Sequence, residues 1–266
     1  MSQANVRSFR DILVYLSAGE GAPARLAAAI ALAQQHDARL IGVEVNSVAV
    51  YSSLFAAEAT QIEERFRLAA RAAKLDHVFH VATREDTAGW NALYSHYADI
   101  VVAPAASEAD AGLVLRGMPE DVLLNGGVPV LIIPEAWREQ PLGRRVMVSW
   151  NASREATRAV HDALPILTRA EQVSIFAFDS RQKVLRAEID LLESHLAAHG
   201  IAAKCVGWPD SGELEPVDAL FSSLSDEGAD MIVAGGYGHP RLIERLLGGV
   251  SRTLARTLTV PVLMSH

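Results

Sequence analysis

The residues of this chain whose types and spacing could do chemistry lie in one stretch: Ala234-Gly235-Gly236-Tyr237-Gly238, nine residues, then Gly248-Gly249-Val250-Ser251. An apolar run from Ala229 to Ala234 enters it, and a helix-like segment ending in Val260-Pro261-Val262-Leu263 leaves it. Glycine accepts positive φ, sets no Cβ against an approaching phosphate, and lets successive N–H groups point into one concavity. A helix opening near Gly249 would add its unsatisfied N–H groups and the positive end of its dipole. The chemistry on offer is anion binding, above all of phosphate. Glycines at a strand–helix junction also serve plain turns, so the spacing alone leaves both uses open.

Other constellations offer less. No Gly-x-x-x-x-Gly-Lys-Ser/Thr, Gly-x-Gly-x-x-Gly or Gly-x-Ser-x-Gly occurs. His195 and His199 stand four apart on a predicted helix, a metal-compatible spacing, but no third ligand is near in sequence and a solvated face is expected. His77 and His80 are expected to face opposite ways. His239 and Arg241 inside the glycine stretch, and Arg252 just beyond it, would touch a phosphate or stand in solvent. No nucleophile–base pair is visible, so neither catalytic nor metal residues are assigned.

These residues need a scaffold, and composition bounds it. The chain has 266 residues, half of them hydrophobic and 21% charged, which suits one large or two ordinary globular domains. A net charge of −8 argues against nucleic acid or an anionic membrane surface as partner. No apolar run is long enough to span a bilayer, and the first residues do not read as a signal peptide. The lone Cys205, in an apolar strand-like run, is expected to be buried and inert. A cytoplasmic protein is the expectation.

Strand and helix patterns alternate along the chain. Strands are expected at Asp11–Leu16, Leu40–Val45, Val78–Val81, Asp99–Ala103 and Val128–Ile133, with helices at Pro23–His36, Phe55–Leu75, Thr87–Tyr97 and Pro119–Leu124. Pro134 to Gly143 reads as a linker. The pattern then restarts: strands Val146–Trp150, Val173–Phe178, Ile201–Val206, Asp230–Ala234 and Val260–Met264, a helix N-capped by Ser153 and reaching Leu167, and helices Gln182–His199, Glu215–Glu227 and one ending at Thr259. Ala98-Asp99-Ile100-Val101-Val102-Ala103 matches Ala229-Asp230-Met231-Ile232-Val233-Ala234, and Val128-Pro129-Val130-Leu131 recurs at Val260. Matched positions stay 131 to 134 residues apart, the mark of a duplication. Each copy predicts a parallel sheet covered on both faces, with ligands at the carboxyl ends of its strands. Proline in each last strand places it at a sheet edge or docked on its counterpart, and a pseudo-twofold pairing of the copies is expected.

Gly235-x-x-Gly238, nine residues, then Gly248, on a βαβ unit ending in Val-Pro-Val-Leu, resembles the universal stress protein family. With two copies, the chain looks like a tandem, UspA-like member. The resemblance implies two α/β domains of adenine-nucleotide α-hydrolase-like (Rossmann-like) type, at residues 1–136 and 144–266. Each would hold a five-stranded, parallel-type sheet flanked by helices. It further implies a stress role, with ATP bound in only some members. Carried over position by position, the implied nucleotide site is Trp150, Asn151, Ala234, Gly235, Gly238, Gly248, Gly249, Val250 and Ser251. Asn151 stands where ATP-binding members have an aspartate facing adenine, and an amide can still donate and accept. Trp150 would stack on a base or fill the core. Gly249 replaces the family's usual Ser or Thr, while Ser251 offers a hydroxyl two residues on; Gly207-x-Pro209 fits the family's third-strand loop.

The first copy departs further. Pro104-Ala105-Ala106-Ser107-Glu108 has no Gly-x-x-Gly, Glu108 and Asp110 bring negative charge, and Ser17 takes the adenine-facing position. Gly126-Gly127 is expected to serve only as a turn. The leading expectation is a regulatory stress-response protein binding ATP, with or without Mg²⁺, or another adenine nucleotide in its second half. Catalysis would be at most weak hydrolysis. The rival is an interaction protein with two degenerate sites, acting through its surface, an unidentified protein partner or homodimerisation.

Overall fold

The computed structural model describes residues 8–45, 53–82, 94–105, 118–138, 141–177, 182–207, 216–236 and 259–266. They form two compact units, one within residues 8–139 and one within 140–243 together with 260–266.

The first unit contains β1 (Asp11–Leu16), α1 (Ala22–His36), β2 (Arg39–Val45), α2 (Ser53–Ala72), β3 (His77–Ala82), β4 (Ile100–Pro104), α3 (Met118–Asn125) and β5 (Val130–Ile133). Its strands lie in the order β3-β2-β1-β4-β5, all pairings parallel. The second unit contains β6 (Arg145–Trp150), α4 (Arg154–Leu167), β7 (Gln172–Ala177), α5 (Gln182–Ala198), β8 (Ala203–Gly207), α6 (Pro216–Glu227), β9 (Met231–Gly235) and β10 (Val262–Ser265). Its order is β10-β9-β6-β7-β8, again parallel throughout. The two units repeat one topology, as the internal match predicts.

The strands are near-continuous apolar runs because helices cover both faces. Every residue of β4, β5, β9 and β10 is buried. In α2, Ile62, Phe66 and Ala70 form the buried stripe that the i, i+4, i+8 spacing predicts. Gly42 is what lets Phe66 lie on the sheet, since a Cβ there would come within 2.8 Å of the ring. Each last-strand proline stands one residue ahead of its strand, where a missing N–H costs the ladder nothing, and lends only its carbonyl. Pro129 accepts from Val101 at 3.0 Å and Pro261 from Ile232 at 2.9 Å.

The repeated Ala-Asp before the fourth strand has a structural cause. Asp99 accepts backbone N–H bonds from Arg10 (2.6 Å) and Asp11 (3.0 Å) at the start of β1. Asp230 does the same for β6, accepting from Gly143 (2.8 Å), Arg144 (3.1 Å) and Arg145 (3.1 Å). Each aspartate thus ties the first strand of its unit beside the fourth.

β4 ends at Pro104, one residue beyond the expected Asp99–Ala103. Two expectations need correction. Cys205 is half-buried, because β8 is the outermost strand of its unit. The stretch from Pro134 to Gly143 is more than a solvated linker, since Trp137 and Leu142 within it are buried. The expected helix at Thr87–Tyr97 is described only at its end, as a single 3₁₀ turn, and the helix before Thr259 lies outside the described residues.

Asp230→Ala leaves three backbone N–H groups without their acceptor and is expected to lower stability by about 2 kcal/mol. A urea unfolding curve checks this, and an unchanged midpoint would show that the aspartate tie is dispensable.

Candidate functional site

β6 and β9 are neighbours, with Ser149 in register with Ala234, so Asn151 and Gly235 emerge at the same carboxyl edge. β7 lies on one side of β6 and β9 on the other, so this edge is the topological switch point of the unit. Open α/β sheets bind ligands in the crevice at such a point.

The first turn of α4 faces the same edge. Its N-cap is Ser153, as the sequence suggests, with the hydroxyl accepting from the Ala156 N–H at 3.1 Å. Asn151 shapes the entry: its Oδ1 accepts from the Ser153 N–H at 3.2 Å, and Ala152 between them sits at φ 55°. Asn151's carbonyl oxygen therefore has a local backbone task. Glu155 in the same turn is held below the usual carboxylate range, first by its own backbone N–H and then, past an opposing push from burial, by Arg154 and Ser153. A ligand phosphate must share this helix end with that carboxylate.

Gly235 has a packing reason to be glycine. A methyl there would run into the Ala156 amide nitrogen and come within 2.9 Å of the Ala156 Cα, so β9 and α4 meet backbone to backbone. Beyond it, the Gly236 N–H donates to the Ser265 carbonyl at 2.7 Å. Ala234 is buried. Gly238, Gly248, Gly249, Val250 and Ser251 lie outside the described residues, as do Tyr237, His239, Arg241 and Arg252.

Trp150 is 8% exposed and lines a cleft between α4 and α5 with Thr157, Val160, His161, Leu192 and His195. Of the two uses open to it in the sequence, the described geometry is that of a largely buried side chain. The cleft also reveals a grouping that sequence spacing misses. His161 on α4 stacks at 5.1 Å on His195, which meets His199 at 4.9 Å. His161 and His195 belong to different helices, so no local periodicity links them. Among the described residues no cluster of three or more His, Cys, Asp or Glu is arranged to hold a metal. His77 and His80 do face different partners, Phe66 and Tyr94.

The first unit has the same switch point between β1 and β4 but different contents. Ser17 accepts from Arg25 at 2.9 Å, and the Arg25 Nε–H donates to the Tyr15 carbonyl at 2.7 Å. Arg25 is 1% exposed, so a buried guanidinium braces the end of β1. The matching position on α4 is Ala159, which has no polar group to offer. Pro104 closes β4, and the Ala105 N–H is taken by the Ile133 carbonyl at 3.0 Å. Gly127 at φ 66° turns the chain from α3 into β5, the turn role expected of it.

This fold has known counterparts. A universal stress protein from Archaeoglobus fulgidus DSM 4304 superposes with a TM-score of 0.67 at 18% identity, covering 95% of this chain and 97% of that one. A UspA from Lactobacillus plantarum, 19% identical, covers 48% of this chain and 99% of its own length at a TM-score of 0.38. In sequence, two universal stress proteins from strains of Mycobacterium tuberculosis are each 41% identical over 51 residues, 19% of this chain. The match spans 35% of the length of those relatives. No protein-family model matches the chain. The chain has the universal stress protein fold and resembles that family in sequence, as the glycine stretch and the repeated units suggest.

Two outcomes are expected. Gly235→Ala forces the β9 end away from α4 and should lower stability by about 1–3 kcal/mol, read from urea unfolding; full stability would mean the contact relaxes freely. His195 is held below its usual value by burial first, then by His161 and His199. The unfolded chain therefore binds this proton at higher pH than the folded chain. Stability from this group is complete above about pH 6.5 and declines as pH falls from there toward the lowered value. His195→Gln should flatten that decline in unfolding midpoints measured from about pH 7.5 to 5.5.

Proposed function

We propose that the chain is a tandem universal stress protein whose second unit binds an adenine nucleotide, ATP or a relative, at the β6–β9 crevice. One observation carries this: Asn151 directly follows β6 and Gly235 ends the adjacent β9 at the switch point, and the Gly-x-x-Gly spacing continues directly from Gly235. In this reading Asn151 meets the adenine with its amide, while Gly238, Gly248 and Gly249 give the phosphates backbone N–H groups. Val250 and Ser251 complete the site, the Ser251 hydroxyl serving the phosphates. Mg²⁺ accompanies ATP. No general base is assigned, so the nucleotide acts as a signal bound and released. The loop from Tyr237 to Leu247 takes a different conformation with ligand and alters a surface that a protein partner reads.

The first unit is the degenerate copy. Arg25 and Pro104 occupy its switch point with groups that serve the strands themselves. The domains assigned to 1–136 and 144–266 then divide the labour between scaffold and sensor. A cytoplasmic site of action suits that role, and no helix among the described residues is long and apolar enough to cross a membrane. The rival reading, an interaction protein with both sites degenerate, draws on Gly249 in place of a hydroxyl residue and on the packing role of Gly235.

Calorimetric titration of the nucleotide-stripped protein with ATP and Mg²⁺ tests the proposal. One equivalent per chain is expected. Gly238→Val should abolish binding without unfolding the protein, because a branched side chain blocks the phosphate approach. Ala105→Val in the first unit should leave affinity unchanged. No binding by the folded protein, or binding lost on changing Ala105, would favour the rival or reverse the assignment of the two units.

A further inference from the structure

The cleft between α4 and α5 stands apart from the proposed nucleotide crevice in chemistry. It measures about 330 Å³, within the range of small-molecule sites, and its walls are mainly apolar: Trp150, Ala152, Val160, Leu191 and Leu192. Leu191 on its wall is 71% exposed, an apolar side chain left without a covering neighbour. Two ring nitrogens of the lining residues, Trp150 Nε1 and His195 Nε2, are buried and have no hydrogen-bond partner among the described residues. Buried polar groups are nearly always paired, and a tryptophan N–H in particular finds an acceptor when it leaves water.

We propose that this cleft is a binding site for a small, uncharged, largely apolar molecule that carries a hydrogen-bond acceptor for the Trp150 indole N–H. An indole N–H only donates, so the occupant must present a carbonyl, ether or heteroaromatic nitrogen. Charge selects a neutral molecule. Among the described residues Glu188 is the one fully charged residue in the lining, with no lysine or arginine beside it, so an anion is repelled. A cation brings donors where an acceptor is needed. The ring of His195 offers its second nitrogen as donor or acceptor according to its tautomer.

The first unit supplies an internal contrast. A cleft of about 310 Å³ lies between α1 and α2, lined by Leu16, Leu26, Ile30, Ile62 and Arg65. Leu16 ends β1 there as Trp150 ends β6, and it has no N–H to satisfy. Of these two strand ends, only that of the second unit presents a ring N–H to its cleft. This inference does not depend on nucleotide binding.

The test is an ¹⁵N–¹H correlation spectrum of the whole protein. The chain has four tryptophans, and the Trp150 indole peak is assigned by its loss in Trp150→Phe. Acetophenone, a neutral aryl ketone, is titrated against ethylbenzene, which lacks the acceptor, and benzoate, which adds a charge. Acetophenone should move the Trp150 peak saturably, with ethylbenzene and benzoate each about tenfold weaker. Followed through the Leu192 amide, Trp150→Phe should weaken acetophenone about tenfold and leave ethylbenzene unchanged. Thr157→Phe, an exposed position on α4, should fill the cleft and abolish both. A Trp150 peak unmoved by acetophenone, equal binding of ketone and hydrocarbon, or full ketone affinity in Trp150→Phe would each overturn the proposal. Saturating ATP should leave the ketone titration unchanged, and displacement of the ketone would overturn the cleft as a separate site. ATP that fails to bind while acetophenone does would defeat the nucleotide reading alone.

Discussion

The carboxylate of Asp230 holds together what the second unit needs. By taking three backbone N–H groups at the start of β6, it sets β6 against β9 at one end of the strands. Parallel ladders propagate that alignment to the other end, where Asn151 and Gly235 emerge side by side. A crevice forms there because β7 and β9 leave β6 in opposite directions. Asp99 performs the same service in the first unit with two N–H groups. A short charged side chain at the foot of each sheet thus determines where a ligand can sit at its head.

Divergence between the copies is concentrated at that head. The cores are alike in kind: apolar strands with small residues under helices. The switch points are not. In the first unit Arg25 reaches from α1 to the end of β1 and is sealed from solvent, so the position serves the strand. In the second, the backbone of β9 closes directly on the first turn of α4, which only glycine at position 235 permits. That contact fixes the helix N-terminus at the crevice, the geometry an anion requires. Glu155 tempers it with negative charge.

The end of β6 serves two places at once. Side chains of a strand alternate between faces, so Trp150 lies under α4 and α5 while Asn151 enters the loop at the crevice. Two consecutive residues thus serve a polar strand-end crevice and an apolar cleft whose ring nitrogens are unpaired among the described residues. A substitution that shifts β6 lengthwise would disturb both.

The sequence by itself determined the repeat, the parallel α/β class, most strand and helix positions, the Ser153 cap and the place of the glycine stretch. These are local or periodic signals: runs of buried apolar residues, a cap three residues ahead of its bonded amide, prolines and glycines with fixed backbone demands. It was silent on three things that depend on chain segments far apart. The packing role of Gly235 arises from contact with Ala156, the tie of Asp230 from a strand start 85 to 87 positions away, and the stack of His161 on His195 from two separate helices. Cys205 was misjudged for a related reason: residue type records what a side chain tolerates, whereas its position within the sheet decides what it meets. Only the tertiary structure could place Trp150 against the cleft between α4 and α5, because an aromatic residue at a strand end suits either face until neighbouring helices select one.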